Sequence, residues 1–175
     1  MSESVIPSYV DTRKVFPSDG KLTGFIGLER MPRFQGSLVN DSAEIEIELE
    51  FSVNRSKQRL ITGRLRAEVE VACQRCLEPV RIELVDDINL ALLRRESDID
   101  KLEESLDPWV VEDHRLDLAL LAEEQLLLCL PIVSTHEDPN CLSSLGYKQL
   151  DADVSSAGKI SKDTNPFAVL KTLKD

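Results

Sequence analysis

Cys73-Gln74-Arg75-Cys76 is answered about sixty residues later by His136 and Cys141, in the run His136-Glu137-Asp138-Pro139-Asn140-Cys141. Thiolate and imidazole are the donors a tetrahedral zinc ion takes, and two cysteines with two residues between them can reach one ion from a single tight turn. The chain therefore offers four candidate zinc ligands, Cys73, Cys76, His136 and Cys141, in two short clusters. Two other readings use the same residues. A redox Cys-x-x-Cys belongs at the start of a helix in a βαβ unit, a context this sequence does not supply. Structural thiols without a metal stay open as well, because His-x4-Cys is a looser second half than a repeated Cys-x-x-Cys. The remaining cysteine, Cys129, stands in the apolar run Leu126-Leu127-Leu128-Cys129-Leu130 and reads as a buried, inert thiol.

Little else in the chain suggests catalysis. There is no phosphate-cradling glycine loop and no His-Glu-x-x-His. His136 and Cys141 as base and nucleophile would lack a third, orienting group. Asp98 and Asp100 sit in an acidic stretch where carboxylates are usually just solvated, and His114, among Glu112, Asp113 and Arg115, reads as a solvated residue near a helix start. The expectation is a protein that is not an enzyme.

At 175 residues and 42% hydrophobic content, the chain can bury one ordinary core. No basic and then apolar leader and no bilayer-length apolar run is present, and four cysteines are too few for a disulfide scaffold. These features point to the cytoplasm and to no membrane contact. A net charge of -11 repels a phosphate backbone, so any RNA contact would be local. The same charge suits encounter with basic proteins, although its plainest use is solubility.

The elements that must position these residues are legible in the middle of the chain. From Ala43 to Val53 apolar residues alternate with Glu44, Glu46, Glu48 and Glu50, the two-residue period of a strand with one wet face. After Asn54-Arg55-Ser56-Lys57 the alternation resumes through Ile61, Leu65, Ala67, Val69 and Val71, so the two stretches predict an antiparallel hairpin. Only registers whose paired numbers sum to an even value set apolar against apolar. If Val53 lies opposite Arg59, then Glu48 meets Arg64 and Glu46 meets Arg66, which makes those arginines cross-strand partners rather than an RNA patch. A third strand follows with Val80, Ile82, Leu84, Ile88, Leu90 and Leu92 on even positions. That switch of parity predicts a second hairpin with Cys73 and Cys76 at its tip, and Asp86-Asp87 as a bulge or bend in the third strand.

Residues 96–107 read as an acidic surface loop or short exposed helix, and Pro108 to Val111 as a short extended piece. A largely apolar helix is expected from Leu116 to Leu130, stopped by Pro131, with the chain leaving its end toward His136. The fold class is α+β: an antiparallel sheet of at least three strands, with closure toward a barrel through N-terminal strands left open, packed by that one main helix. Residues 1–145 form the expected single domain and 146–164 a flexible linker. Residues 165–175 form a short tethered helix, with Asn165 as N-cap, Pro166 at the first helical position, and Phe167, Leu170 and Leu173 on one face as a partner-binding surface. Docking of that helix back on its own domain is an equal reading.

Cys73-Gln74-Arg75-Cys76-Leu77-Glu78-Pro79, then Leu126 to Pro131 with His136 and Cys141, then Asn165-Pro166-Phe167-Ala168-Val169-Leu170 with Leu173-Lys174, together resemble the YceD family, the large ribosomal RNA subunit accumulation proteins. The likeness runs from about the first strand to the C-terminus, while the first forty residues match only loosely. It implies a factor in the synthesis, processing or stability of large-subunit (23S) ribosomal RNA, with a link to a large-subunit ribosomal protein or pre-ribosomal particle. Two expectations follow. The first is a non-catalytic assembly factor that binds a basic partner through its acidic surface and C-terminal helix. The other is a direct RNA binder or RNA-processing enzyme using Arg64, Arg66, Arg75 and Arg81, with Arg75 and Arg81 near the hairpin tip as the RNA-contact candidates.

Overall fold

The computed structural model describes residues 5–146. The linker and terminal helix expected from 147 onward, including Asn165, Pro166, Phe167, Leu170 and Leu173, lie outside the described residues. The chain divides into two compact units, Met1–Asp138 and Pro139–Asp175.

In the first unit the elements run β1 (Tyr9–Asp11), α1 (Thr12–Val15), β2 (Lys21–Phe25), α2 (Pro32–Gln35), β3 (Glu44–Val53), β4 (Arg59–Ala72), β5 (Pro79–Leu93), β6 (Asp107–Val110), β7 (Arg115–Asp117) and α3 (Leu118–Cys129). Strands β2 to β6 form one five-stranded sheet in sequence order, and β1 pairs with β7 in a small second sheet. The fold is α+β with one main helix, as expected, and the five-stranded sheet is open rather than closed into a barrel. In the second unit, Pro139–Leu145 form a short 3-10 helix.

The β3–β4 ladder has an even-sum register, as alternation requires, and within it the expected pairing of Val53 with Arg59, Glu48 with Arg64 and Glu46 with Arg66. Ile45, Ile47, Leu49 and Phe51 are thereby buried with Ile61, Leu65, Ala67 and Val69 on one face. The ion pairs, however, form on the other side of β4. Arg64 pairs with Asp87 at 2.8 Å and Arg66 with Glu83 at 2.6 Å, both on β5. A central strand has two neighbours, and both of them carry acids. Glu83 and Asp87 face the same solvent as the arginines because β4 and β5 pair in an odd-sum register, Val71 opposite Val80.

Several expectations need correcting. Asp86 and Asp87 do not break β5, which is continuous; Asp86 stands in the ladder opposite Leu65. Burial first, and then the nearby Asp87 and Asp107 carboxylates, raise its pKa. The sheet is not wholly antiparallel, since β6 runs parallel to β5. The helix begins at Leu118 rather than Leu116 because Arg115–Asp117 pair with β1 as a strand, and the Asp117 carboxylate accepts from the N–H groups of Ala119 and Leu120 as N-cap. Its end at Cys129 fits the exclusion of helical backbone just before Pro131. His114 is half-buried rather than solvated, and its carbonyl accepts from the Thr12 N–H.

Helix α3 lies against β5 and α2 with Leu118, Leu121, Ala122 and Leu126 in the core beside Phe34 and Met31. One of its buried residues is a carboxylate. Glu123, 4% exposed, accepts from the backbone N–H groups of Arg33 at 2.7 Å and Phe34 at 3.2 Å and from Arg33 Nε at 3.0 Å. It thus satisfies orphan donors in the first turn of α2, which has no side-chain cap of its own. Burial alone would raise the Glu123 pKa, but the Phe34 N–H and the two Arg33 donors outweigh it and hold the carboxyl below its ordinary value. The resulting stability is full above the ordinary glutamate range and is lost as pH falls through the depressed value. We expect Glu123→Ala to cost about 3 kcal/mol in denaturant unfolding, because three donors lose a charged acceptor. The acid limb of the stability profile should flatten in the same variant.

Candidate metal centre

The β4–β5 connection is the six-residue turn from Cys73 to Glu78, closed by the Cys73 N–H donating to the Glu78 carbonyl at 2.9 Å and the Leu77 N–H to the Cys73 carbonyl at 2.8 Å. Leu77 adopts φ 65°, the left-handed conformation that reverses the chain after Cys76. Both cysteines point inward: Cys73 is fully buried and Cys76 is 2% exposed. They occupy the hairpin tip, as the parity switch required.

His136 arrives from the segment that follows α3, and the two residues between the cysteines hold that segment. The Gln74 N–H donates to the Ser134 carbonyl at 2.9 Å, and Gln74 Nε2 to the Ile132 carbonyl at 3.0 Å. Arg75 donates through one guanidinium nitrogen to the carbonyls of His136 and Asp138, the latter at 3.1 Å. Residues 132, 134, 136 and 138 alternate, as carbonyls on one side of an extended chain do. Gln74 and Arg75 therefore read that side as a strip. Sequence reasoning missed this role: polar residues between two ligands look like solvated turn positions, and nothing local shows which carbonyls they meet.

The imidazole is fixed in turn. His136 Nε2 lies 3.0 Å from the Pro79 carbonyl oxygen, toward which it can act only as a donor, so the proton resides on Nε2. Nδ1 is left with its lone pair and lies 3.4 Å from Cys76 Sγ. A carbonyl holding the far nitrogen of a histidine in this way is the usual support of a metal ligand. In a tetrahedral site with bonds of about 2.3 Å to sulfur and 2.0 Å to nitrogen, the two donors would stand about 3.5 Å apart, so the observed spacing fits. The candidate ligands among the described residues are Cys73, Cys76, His136 and Cys141. The first three belong to the first unit, and their donor atoms lie within 4.8 Å of one another. Cys141 belongs to the second unit. The three donors of the first unit could hold a metal ion.

The electrostatics favour the charged donor. Burial raises the Cys73 pKa, but N–H groups of Cys76, Arg75 and His136, together with the Cys76 thiol, overcome it and bring the value down to about 5. Cys129 differs: it is half-buried, outside the candidate ligand group, and its pKa is raised first by burial and then by the neighbouring Asp86. The RNA-contact candidates are placed as follows. Arg75 is half-buried, with one guanidinium nitrogen committed to backbone carbonyls and its Nε buried without a partner among the described residues, and Arg81 stands opposite Glu70 and lines a hollow with Glu44 and Glu68.

The sequence profile described as "Large ribosomal RNA subunit accumulation protein YceD" matches residues 61–174. The chain belongs to the YceD family. A family member of that same description from Haemophilus influenzae is 27% identical over 175 residues, covering 99% of each chain. No solved structure matches significantly. The stretch matched to YceD includes the hairpin tip, His136 and Cys141.

If Gln74 and Arg75 clamp the strip as described, Arg75→Ala should open the tip. Two charge-assisted hydrogen bonds lost locally correspond to roughly a tenfold or greater rise in the reaction rate of the buried thiols with a disulfide reagent in metal-free protein. An unchanged rate would show that Arg75 does not hold the corner shut.

Proposed function

We propose that this chain is a cytoplasmic, non-catalytic factor in the accumulation of large-subunit (23S) ribosomal RNA. It acts by holding a basic large-subunit ribosomal protein or a pre-ribosomal particle. The observation that carries this reading is the family match together with a relative of that description alignable over nearly the whole chain. Two features of the molecule support a binding role. The net charge of -11 suits a basic partner, and Leu77, Ile132 and Val133, on the two segments joined through Gln74, are 75%, 94% and 62% exposed, an apolar surface beside the candidate metal centre. Against catalysis, Cys76 and His136 could resemble a nucleophile and base, but the sulfur is buried and a second thiol converges on the same point, as a metal requires and a catalytic dyad does not.

The resident ion in this reading is zinc, with Cys141 supplying the fourth donor. Cys141 follows His136 by five residues, at most roughly 18 Å of extended chain, so it is tethered within reach of the other three donors. The ion would join the hairpin tip to the chain after α3. No helix among the described residues is long and apolar enough to cross a membrane. No step of the function requires one.

Three outcomes test these statements. Protein purified under reducing conditions should carry one zinc per chain, and its removal by a chelator should lower the melting temperature by about 5 °C or more. Metal-free protein with unchanged stability would contradict the ion's role. Cells deprived of the chain should lose mature 23S ribosomal RNA relative to 16S, and equal levels of the two would contradict the biogenesis reading. Removal of Asn165–Asp175 should weaken capture of the ribosomal partner while the melting temperature holds, whereas undiminished capture would place the contact elsewhere.

A further inference from the structure

At the end of the sheet away from the Cys-x-x-Cys turn, the β3–β4 turn, the end of β5 and the 3-10 helix Glu96–Lys101 line an open cavity of about 750 Å³. Its size is that of a ligand site rather than a packing defect. Five cations line it, Lys57, Arg59, Arg94, Arg95 and Lys101, against two carboxylates, Asp98 and Glu112. In a chain of net charge -11 such an excess of positive charge requires an explanation.

The carboxylates do not neutralise it. Asp98 takes Lys101 at 2.7 Å and Arg95 at 3.4 Å, which leaves Lys57, Arg59 and Arg94 without a carboxylate partner among the described residues. Arg59 lies over the Phe16 ring at 5.6 Å, so its guanidinium is oriented without being neutralised. Buried Ala91 and Leu92 and half-buried Leu102 supply an apolar wall.

Lys57 supplies an independent sign. It sits at φ 61° in the turn that joins β3 to β4, where glycine or asparagine would be the usual residue. The turn is held by the Asn54 N–H to the Gln58 carbonyl at 2.9 Å, the Lys57 N–H to the Asn54 carbonyl at 3.0 Å and the Gln58 N–H to Asn54 Oδ1 at 2.9 Å. A lysine in the left-handed region is thus fixed at the rim of the cavity.

We propose that this cavity is an RNA contact, in which Lys57, Arg59 and Arg94 take backbone phosphates and the apolar wall takes an unstacked base. The ligand class follows from the chemistry: separated, unpaired cations around an apolar wall suit a strand that alternates phosphate with a flat apolar face. The choice of RNA over another polyanion rests on the ribosomal RNA reading above. The site is distinct from the hairpin tip, where Arg75 already donates to the carbonyls of His136 and Asp138.

The test is titration of the full chain with a fluorescent single-stranded RNA oligonucleotide of mixed sequence across a salt series. The expected result is binding at low salt with a log–log salt slope of about −2, for three phosphate contacts at about 0.7 each. Arg94→Gln combined with Lys57→Gly should weaken binding about tenfold and bring the slope to about −1, while Arg81→Ala leaves both unchanged. Lys57→Gly relieves the left-handed lysine, so the melting temperature should hold or rise, which separates lost contact from lost fold. Absence of RNA binding at low salt, equal binding by the double variant, or equally effective competition by polyglutamate would each overturn the proposal. Normal 23S levels in cells lacking the chain would sink the biogenesis reading and leave measured RNA binding in place. A 23S defect with no RNA binding would do the reverse.

Discussion

The hydrogen bonds from Gln74 and Arg75 to alternate carbonyls of residues 132–138 decide where His136 goes. Everything distinctive about this corner depends on them. An extended segment after a helix has no intrinsic reason to lie against a hairpin turn, and matching its carbonyls to donors on that turn gives it one. By matching those donors to the carbonyls at positions 136 and 138, the fold fixes the segment in register. The Pro79 carbonyl then settles the imidazole tautomer. Donor atoms of Cys73, Cys76 and His136, separated by sixty residues of sequence, converge because of backbone recognition.

A second clasp works on the same principle elsewhere in the unit. Glu123 on α3 takes the N–H groups at the start of α2 and the Arg33 side chain, so one carboxylate fixes how the N-terminal region covers the sheet. Both clasps join a polar side chain to backbone groups of a distant segment. They give specificity of placement, while the apolar faces of β3, β4, β5 and α3 supply the driving force.

The alternation in β3 and β4 fixes the parity of their register, because a slip of one position would turn a row of glutamates into the core, and the short connection at residues 54–57 suggests the pairing of Val53 with Arg59 that the ladder has. The parity switch between Val71 and Val80 likewise placed the two cysteines at a hairpin tip. What could not be read was whatever depends on a second neighbour. The pairing of Arg64 and Arg66 with Asp87 and Glu83 required knowing that β4 is central. The parallel direction of β6, the strand at Arg115–Asp117 and the role of Glu123 rest on partners remote in the chain, and each stretch is too short or too ambiguous in period to announce them. Asp86-Asp87 misled because a charged pair suggests a break, whereas the ladder continues through them and Asp86 bears the desolvation as a raised pKa beside Cys129.

The donor atoms of Cys73, Cys76 and His136 converge within 4.8 Å of one another, and the shell of an ion held there is open to direct measurement. Zinc-edge X-ray absorption of the purified chain reads that shell directly. With the proposed ligands Cys73, Cys76, His136 and Cys141, the expected shell is three sulfur scatterers at about 2.3 Å and one nitrogen at about 2.0 Å, with the nitrogen lost in His136→Ala. A shell of oxygen and nitrogen alone, or one unaltered by that substitution, would contradict it.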